Sequence, residues 1–128
     1  MNTKIVVPLD GNEVLGYSEP TFETVTDANP IGADESPSVF NNTGDGEKTL
    51  YTLPAAAEGL RFTFHNIVSY GSRITAGAGD TIRLNDAVSK AAGYIEATGL
   101  GASVVLVCLD GTQWIAESIV GVWTVETS

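Results

Sequence analysis

The side chains able to do chemistry in this chain are few and scattered. There is one histidine, His65, and one cysteine, Cys108, in 128 residues. A Ser-His-Asp arrangement would need His65 beside a serine nucleophile, and no Gly-x-Ser-x-Gly elbow occurs. In Leu60-Arg61-Phe62-Thr63-Phe64-His65 the imidazole falls on the polar side of an alternating run, a place that needs no catalytic explanation. Cys108 lies within Val104-Val105-Leu106-Val107-Cys108-Leu109, where desolvation raises a thiol's pKa and leaves it inert. One histidine and one buried cysteine cannot supply the ligands of a zinc site.

Oxygen-based sites fare little better. Asn41-Asn42-Thr43-Gly44-Asp45-Gly46 places oxygen side chains and a sixth-position glycine like the start of a calcium loop. Its first ligand would be Asn41, however, and Thr52 stands in the twelfth place, where a bidentate glutamate is required. It reads instead as a turn leading into a strand. Gly44-Asp45-Gly46-Glu47-Lys48-Thr49 lacks the glycine that precedes the lysine of a phosphate loop, and Gly99-Leu100-Gly101 does not continue to a third glycine. Sixteen acidic residues are present, but nothing selects two of them as a hydrolytic pair. Asp80 and Asp110, each next to a glycine, are better turn formers. Trp114 and Trp123, at strand positions among valines and isoleucines, suit a core or interface. No catalytic residue, cofactor or metal is expected.

The elements that would position any site point to an all-β chain. A mass of 13.4 kDa suits one ordinary domain. A chain of that size buries roughly 65–70% of its unfolded surface. With 43% hydrophobic and 17% charged residues it is no disordered acidic tail, despite a net charge of −10. No apolar run approaches the ~18 residues of a spanning helix. Met1–Pro8 lacks the pattern of a secretory signal, and a lone cysteine fits a reducing compartment. Residues 1–60 hold two basic and ten acidic residues, while residues 61–128 hold four and six. Such a surface repels a phosphate backbone, so nucleic acid is not an expected partner.

Along the chain, Pro8, Pro20, Pro30 and Pro37 punctuate the first 46 residues and exclude a long helix there. Short extended segments are predicted only at Thr3–Val7 and Thr21–Thr26. Residues 1–46 read as an extended, acidic arm and residues 47–128 as the folded domain. Strands are predicted at Lys48–Leu53, Leu60–His65, Ser72–Ala76, Thr81–Leu84, Ala91–Thr98, Ser103–Leu109, Thr112–Ser118 and Ile119–Val125. Asp110-Gly111 suggests a two-residue type I′ turn, and Leu84–Ala92 is the one helical candidate. No internal repeat is seen. The class expected is an antiparallel β-sandwich or barrel, jelly-roll-like, carrying an extended N-terminal arm. Val104–Leu109 and Ile119–Val125 are apolar on both faces. A small domain has no third layer of its own to cover both, so either the arm of a closed barrel folds back over the second face or a second copy of the chain covers it. Self-association is the preferred expectation, with Val105, Val107, Trp114, Val120, Val122 and Trp123 in the core and interface.

The second half resembles a β-module of tailed-bacteriophage structural proteins, which include head and tail fibres and small capsid decoration (cement) proteins. The residues that carry the resemblance are Leu53-Pro54-Ala55-Ala56-Ala57-Glu58-Gly59-Leu60-Arg61-Phe62-Thr63-Phe64, Arg73-Ile74-Thr75-Ala76, Gly79-Asp80-Thr81-Ile82-Arg83, Gly93-Tyr94-Ile95, Gln113-Trp114-Ile115-Ala116 and Gly121-Val122-Trp123-Thr124. The resemblance spans roughly residues 48–125. It implies a virion protein that forms a homotrimer on the outer capsid surface and stabilises contacts between major capsid proteins. It implies no enzymatic role, no cofactor, and neither nucleic acid nor membrane as partner; the protein would be made in the host bacterial cytoplasm. On this reading Ile5, Val6, Val7, Leu9, Phe22 and Val25 of the arm contact the capsid. The alternative is a fibre or receptor-binding module that reads a host-surface glycan through Tyr17, Tyr51 or Tyr70. A small hydrolase dependent on His65 is a third reading.

Overall fold

A computed structural model describes residues 21–25, 29–42 and 47–128. Its strands are β1 (Thr21–Val25), β2 (Asn29–Pro30), β3 (Ser38–Asn42), β4 (Thr49–Thr52), β5 (Arg61–Asn66) and β6 (Ser72–Thr75). They continue with β7 (Thr81–Leu84), β8 (Ala87–Val88), β9 (Tyr94–Ala97), β10 (Ser103–Cys108), β11 (Gln113–Val120) and β12 (Thr124–Val125). Two sheets pack together, one in the order β1-β3-β5-β10-β11-β7-β8 and the other β12-β9-β6-β4-β2. The protein is an all-β sandwich.

The pairing is mixed rather than purely antiparallel. The strands β1, β3 and β5 run parallel in the large sheet, as do β2, β4 and β6 in the small one. The cause is how the chain winds. It crosses to the opposite sheet after each of these strands, so it returns to either sheet in the same direction. Antiparallel pairs arise where the chain makes a hairpin within one sheet, at β7–β8 and β10–β11, and where strands distant in sequence meet, at β5–β10, β6–β9 and β9–β12.

The described part of the predicted arm belongs to the sandwich. β1 and β3 are strands of the large sheet, β2 is a strand of the small one, and Ile31 and Phe40 are core residues. A boundary at residue 46 therefore falls inside the fold. The prolines forbid a helix but not strands: Pro30 lies on β2, which among the described residues ends the small sheet, a position where a missing N–H costs no ladder bond. Thr3–Val7 lies outside the described residues.

Alternation builds the core. Phe62 and Phe64 point inward from β5 while Arg61, Thr63 and His65 do not. From β10, Val104, Leu106 and Cys108 are buried, and Trp114 of β11 is fully enclosed. Phe40 stacks on Phe64 with ring centroids 5.4 Å apart, and Tyr51 meets Phe64 edge-on at 4.9 Å. Such pairs add about 0.5–1.5 kcal/mol each beyond area burial. Burial pushes the Cys108 thiol up to about 11, so it stays protonated and unreactive at neutral pH.

Two local expectations are corrected. Leu84–Ala92 is no helix: β7 turns into β8 through Asn85, and Asn85 and Ala92 have positive φ. The β10–β11 connection is not a type I′ turn, which needs positive φ at both central residues, because Gly111 has none. Instead the Asp110 carboxylate accepts hydrogen bonds from the Thr112 and Gln113 amides at 2.8 and 3.1 Å. The bond from the Thr112 amide, chiefly, holds its carboxyl below the usual range.

Candidate functional site

The topology gives the sandwich two chemically different ends. β5, β9 and β11 finish at one end, and the loops after them span residues 67–71, 98–102 and 121–123. These loops, with the last residue of β11, carry Ile67, Tyr70, Leu100, Val120 and Val122. They are five of the seven large hydrophobic residues exposed among the described residues, with Leu100 69% and Val122 81% accessible. The opposite end carries Asp34, Glu35, Glu58, Asp80 and Asp110 in its connections and Glu126 after β12. Exposed carboxylates are not confined to it: β3 and β7 run with β5 and β11, so Glu47, after β3, and Asp86, in the β7–β8 turn, rim the apolar end. The other two exposed large hydrophobics are Leu109, at that acidic end, and Leu50, on β4.

The apolar loops are braced. Asn42 and Asn66 end β3 and β5, lie opposite each other in register, and are both buried. The Asn42 carbonyl oxygen accepts the Ile67 amide at 2.8 Å, and its amide group donates to the Gly71 carbonyl at 3.0 Å. The Asn66 side chain donates to the Ala97 carbonyl at 3.1 Å and accepts from the Ser72 hydroxyl. Its backbone closes the 98–102 loop through Ala102 and Gly101, both at 2.8 Å. Two glycines finish the joint. Gly71, at φ +89°, would put a Cβ 2.6 Å from the Ala97 carbonyl oxygen, and Gly121, at φ +86°, would put one 3.0 Å from Ala102. The Trp123 indole N–H donates to the carbonyls of Ser103 and Val120, both at 3.2 Å, tying the last loop to β10. Hydrophobic side chains on loops held this way lose little conformational freedom on docking.

Val122 stands between two shallow clefts that share it and Gly121. One, of about 470 Å³, is lined by Glu96, Thr98, Leu100 and Thr124 among others; the second, of about 330 Å³, is lined by Leu84, Ile119, Trp123 and Val125 among others. Beside the first, Glu96 is bonded to Lys48 and to Arg73, the latter at 2.8 Å, and the Arg73 guanidinium lies 4.0 Å from the centre of the Tyr94 ring. Burial pushes the Glu96 carboxyl up, but the bonds from Lys48 and Arg73 outweigh it and hold the group below its ordinary range. The Glu96 bond raises Arg73 in turn. This is a satisfied ionic cluster on the outer face of the small sheet.

The structure separates the residues singled out from the sequence. Trp114 is core. Val105 and Val107 are half-buried on the outer face of the large sheet; Val107 pairs with Ile115, and Val105 with Thr63, itself opposite Val39. Val120 and Val122 belong to the apolar end, and Trp123 is partly buried beneath it. Phe22 and Val25 sit on β1, the last strand on that side of the large sheet among the described residues, while Ile5, Val6, Val7 and Leu9 lie outside them. Tyr51 is enclosed in the core and cannot be a sugar platform; Tyr70 is half-exposed at the apolar end, and Tyr17 is outside the described residues. His65 is half-buried between Asn41 and Ser103 in register. Among the described residues no three of His, Cys, Asp and Glu gather as metal ligands.

Sequence reasoning missed Ile67, Leu100 and the two asparagines. Leu100 had a visible signal, an apolar residue between Gly99 and Gly101 where a turn should be polar. No protein-family model matches the chain. A search of curated proteins gives no match either.

Proposed function

We propose that the protein is a bacteriophage capsid decoration protein, a homotrimer that seats on the outer surface of the head and bridges major capsid proteins. The single observation that carries the reading is the clustering of exposed hydrophobic residues on braced loops at one end of the sandwich, where Ile67, Tyr70, Leu100, Val120 and Val122 gather, while the acidic end shows Leu109. An exposed apolar patch rimmed by polar residues marks a contact surface. Burying a Val or Leu side chain contributes about 1.5–3 kcal/mol, so Leu100 and Val122 alone can supply useful affinity. Three copies joined as a trimer engage the shell together, and linkage raises the effective concentration of each contact. The half-buried stripe of Val105, Val107 and Ile115 on the large sheet offers a surface for the copies to meet. The acidic end then faces solvent, where its charge favours solubility.

Co-sedimentation of the purified protein with heads of the parent phage tests this, alongside analytical ultracentrifugation of the free protein. Saturable binding by a species of three times the chain mass is expected. Absence of binding to heads, or a monomer at micromolar concentration, would overturn it.

A further inference from the structure

β1 ends the large sheet and β2 ends the small one. Both belong to the first of three parallel winds, β1–β2, β3–β4 and β5–β6, so among the described residues this winding stops on strands with a neighbour on one side. Within it, Thr21 lies opposite Ser38, 17 residues on. Behind the strands runs a column of buried residues: Ile31 donates its amide to the Thr52 carbonyl, and Leu53 donates to that of Thr75, both at 2.8 Å.

The same 17-residue step taken upstream brings Lys4-Ile5-Val6-Val7-Pro8 opposite Thr21–Val25. It also exposes a repeat that periodicity alone did not reveal. Asp10 and Asp27, Asn12 and Asn29, Pro20 and Pro37 coincide, and Val14 coincides with Ile31. Leu9–Pro20 and Thr26–Pro37 are equal in length, and each ends in the proline that precedes a strand. The expectation of no internal repeat is therefore corrected. Ile5, Phe22 and Val39 fall in one column of the alignment, apolar throughout.

We propose that the open edge of β1 is a strand-docking site and that its occupant is this chain's own Lys4–Pro8 segment, parallel and one 17-residue step upstream. Val14 then extends the column of Ile31 and Leu53. Pro8 falls opposite Val25, at the end of the strand, where a missing N–H costs least. An open β-prone edge invites association with other chains, and a fourth parallel strand covers that of β1 and ends the sheet on a segment whose Lys4 and Pro8 are residues that blunt an edge. This assignment is independent of what the apolar end binds, and it gives Ile5, Val6 and Val7 a place on the sheet edge.

Residue-resolved hydrogen exchange on the full chain tests it. Amides of a strand point alternately to its two sides. With Lys4–Pro8 docked, all the amides of Thr21–Val25 exchange slowly. Alternating fast and slow amides would mean an empty edge and overturn the proposal. Oxidative cross-linking separates the occupants. The pair Ile5→Cys with Phe22→Cys is expected to close within one chain at least tenfold faster than Ile5→Cys with Glu23→Cys, because a one-residue slip reverses the face. Cross-links formed only between chains, surviving dilution, would overturn it in favour of exchange between copies.

Discussion

The two ends of this sandwich are built from the same strands and differ in what their loops display. At the acidic end, loop residues bond to loop residues: Asp80 accepts the Ala56 amide at 2.8 Å, and Asp110 folds back on Thr112. At the apolar end, the loops hang from buried asparagines inside the sheet. A rigid mount under water-averse side chains contributes nothing to the solubility of an isolated molecule, and it makes sense for a surface that meets a partner. The contrast teaches that the strands carry stability while the loops carry the functional difference.

The contrast can be broken most severely at its base. Asn66→Ala removes a buried side chain that donates to the Ala97 and Gly99 carbonyls and accepts from Ser72; the Gly99 carbonyl keeps its bond from Ala102, while the Ala97 carbonyl and the Ser72 hydroxyl lose this partner. Each such loss costs about 1–3 kcal/mol, so urea denaturation should show a loss of about 2–4 kcal/mol. A loss under 1 kcal/mol would mean the loops are not hung from this residue. Next in size, Leu100→Asp with Val122→Asp should weaken head binding at least tenfold, about 1.4 kcal/mol, while thermal stability stays within a few degrees. Glu58→Lys with Leu109→Asp at the acidic end should leave binding unchanged, and equal loss from both pairs would erase the distinction. The smallest effect concerns the ionic cluster beside the larger cleft. Because the folded Glu96 carboxyl sits below its unfolded value, its stabilisation is present above pH ~4.3 and is lost as pH falls through the folded value. Glu96→Gln should flatten the stability profile below pH ~4, and an unchanged profile would mean the Lys48 and Arg73 bonds are not maintained.

Much of the sandwich is legible in the chain. Leu60–His65 and Val104–Cys108 sit in strands whose buried faces show in the residue types, since core burial and side-chain alternation share a period of two. The ends are not legible. Whether Ile67 and Val122 share a surface depends on strand direction, which is set by crossing between sheets and leaves no local signal. Ser38–Asn42 escaped because two adjacent asparagines resemble a turn, yet Asn42 is enclosed and serves as a brace. The 17-residue step emerged only once Thr21 and Ser38 were seen side by side.

Hydrogen exchange of the protein bound to heads, compared with the free protein, tests the central claim most directly. The account predicts slowed exchange in residues 67–71, 98–102 and 121–123, with residues 53–60 and 109–112 unchanged. Protection concentrated at the acidic end instead would contradict it.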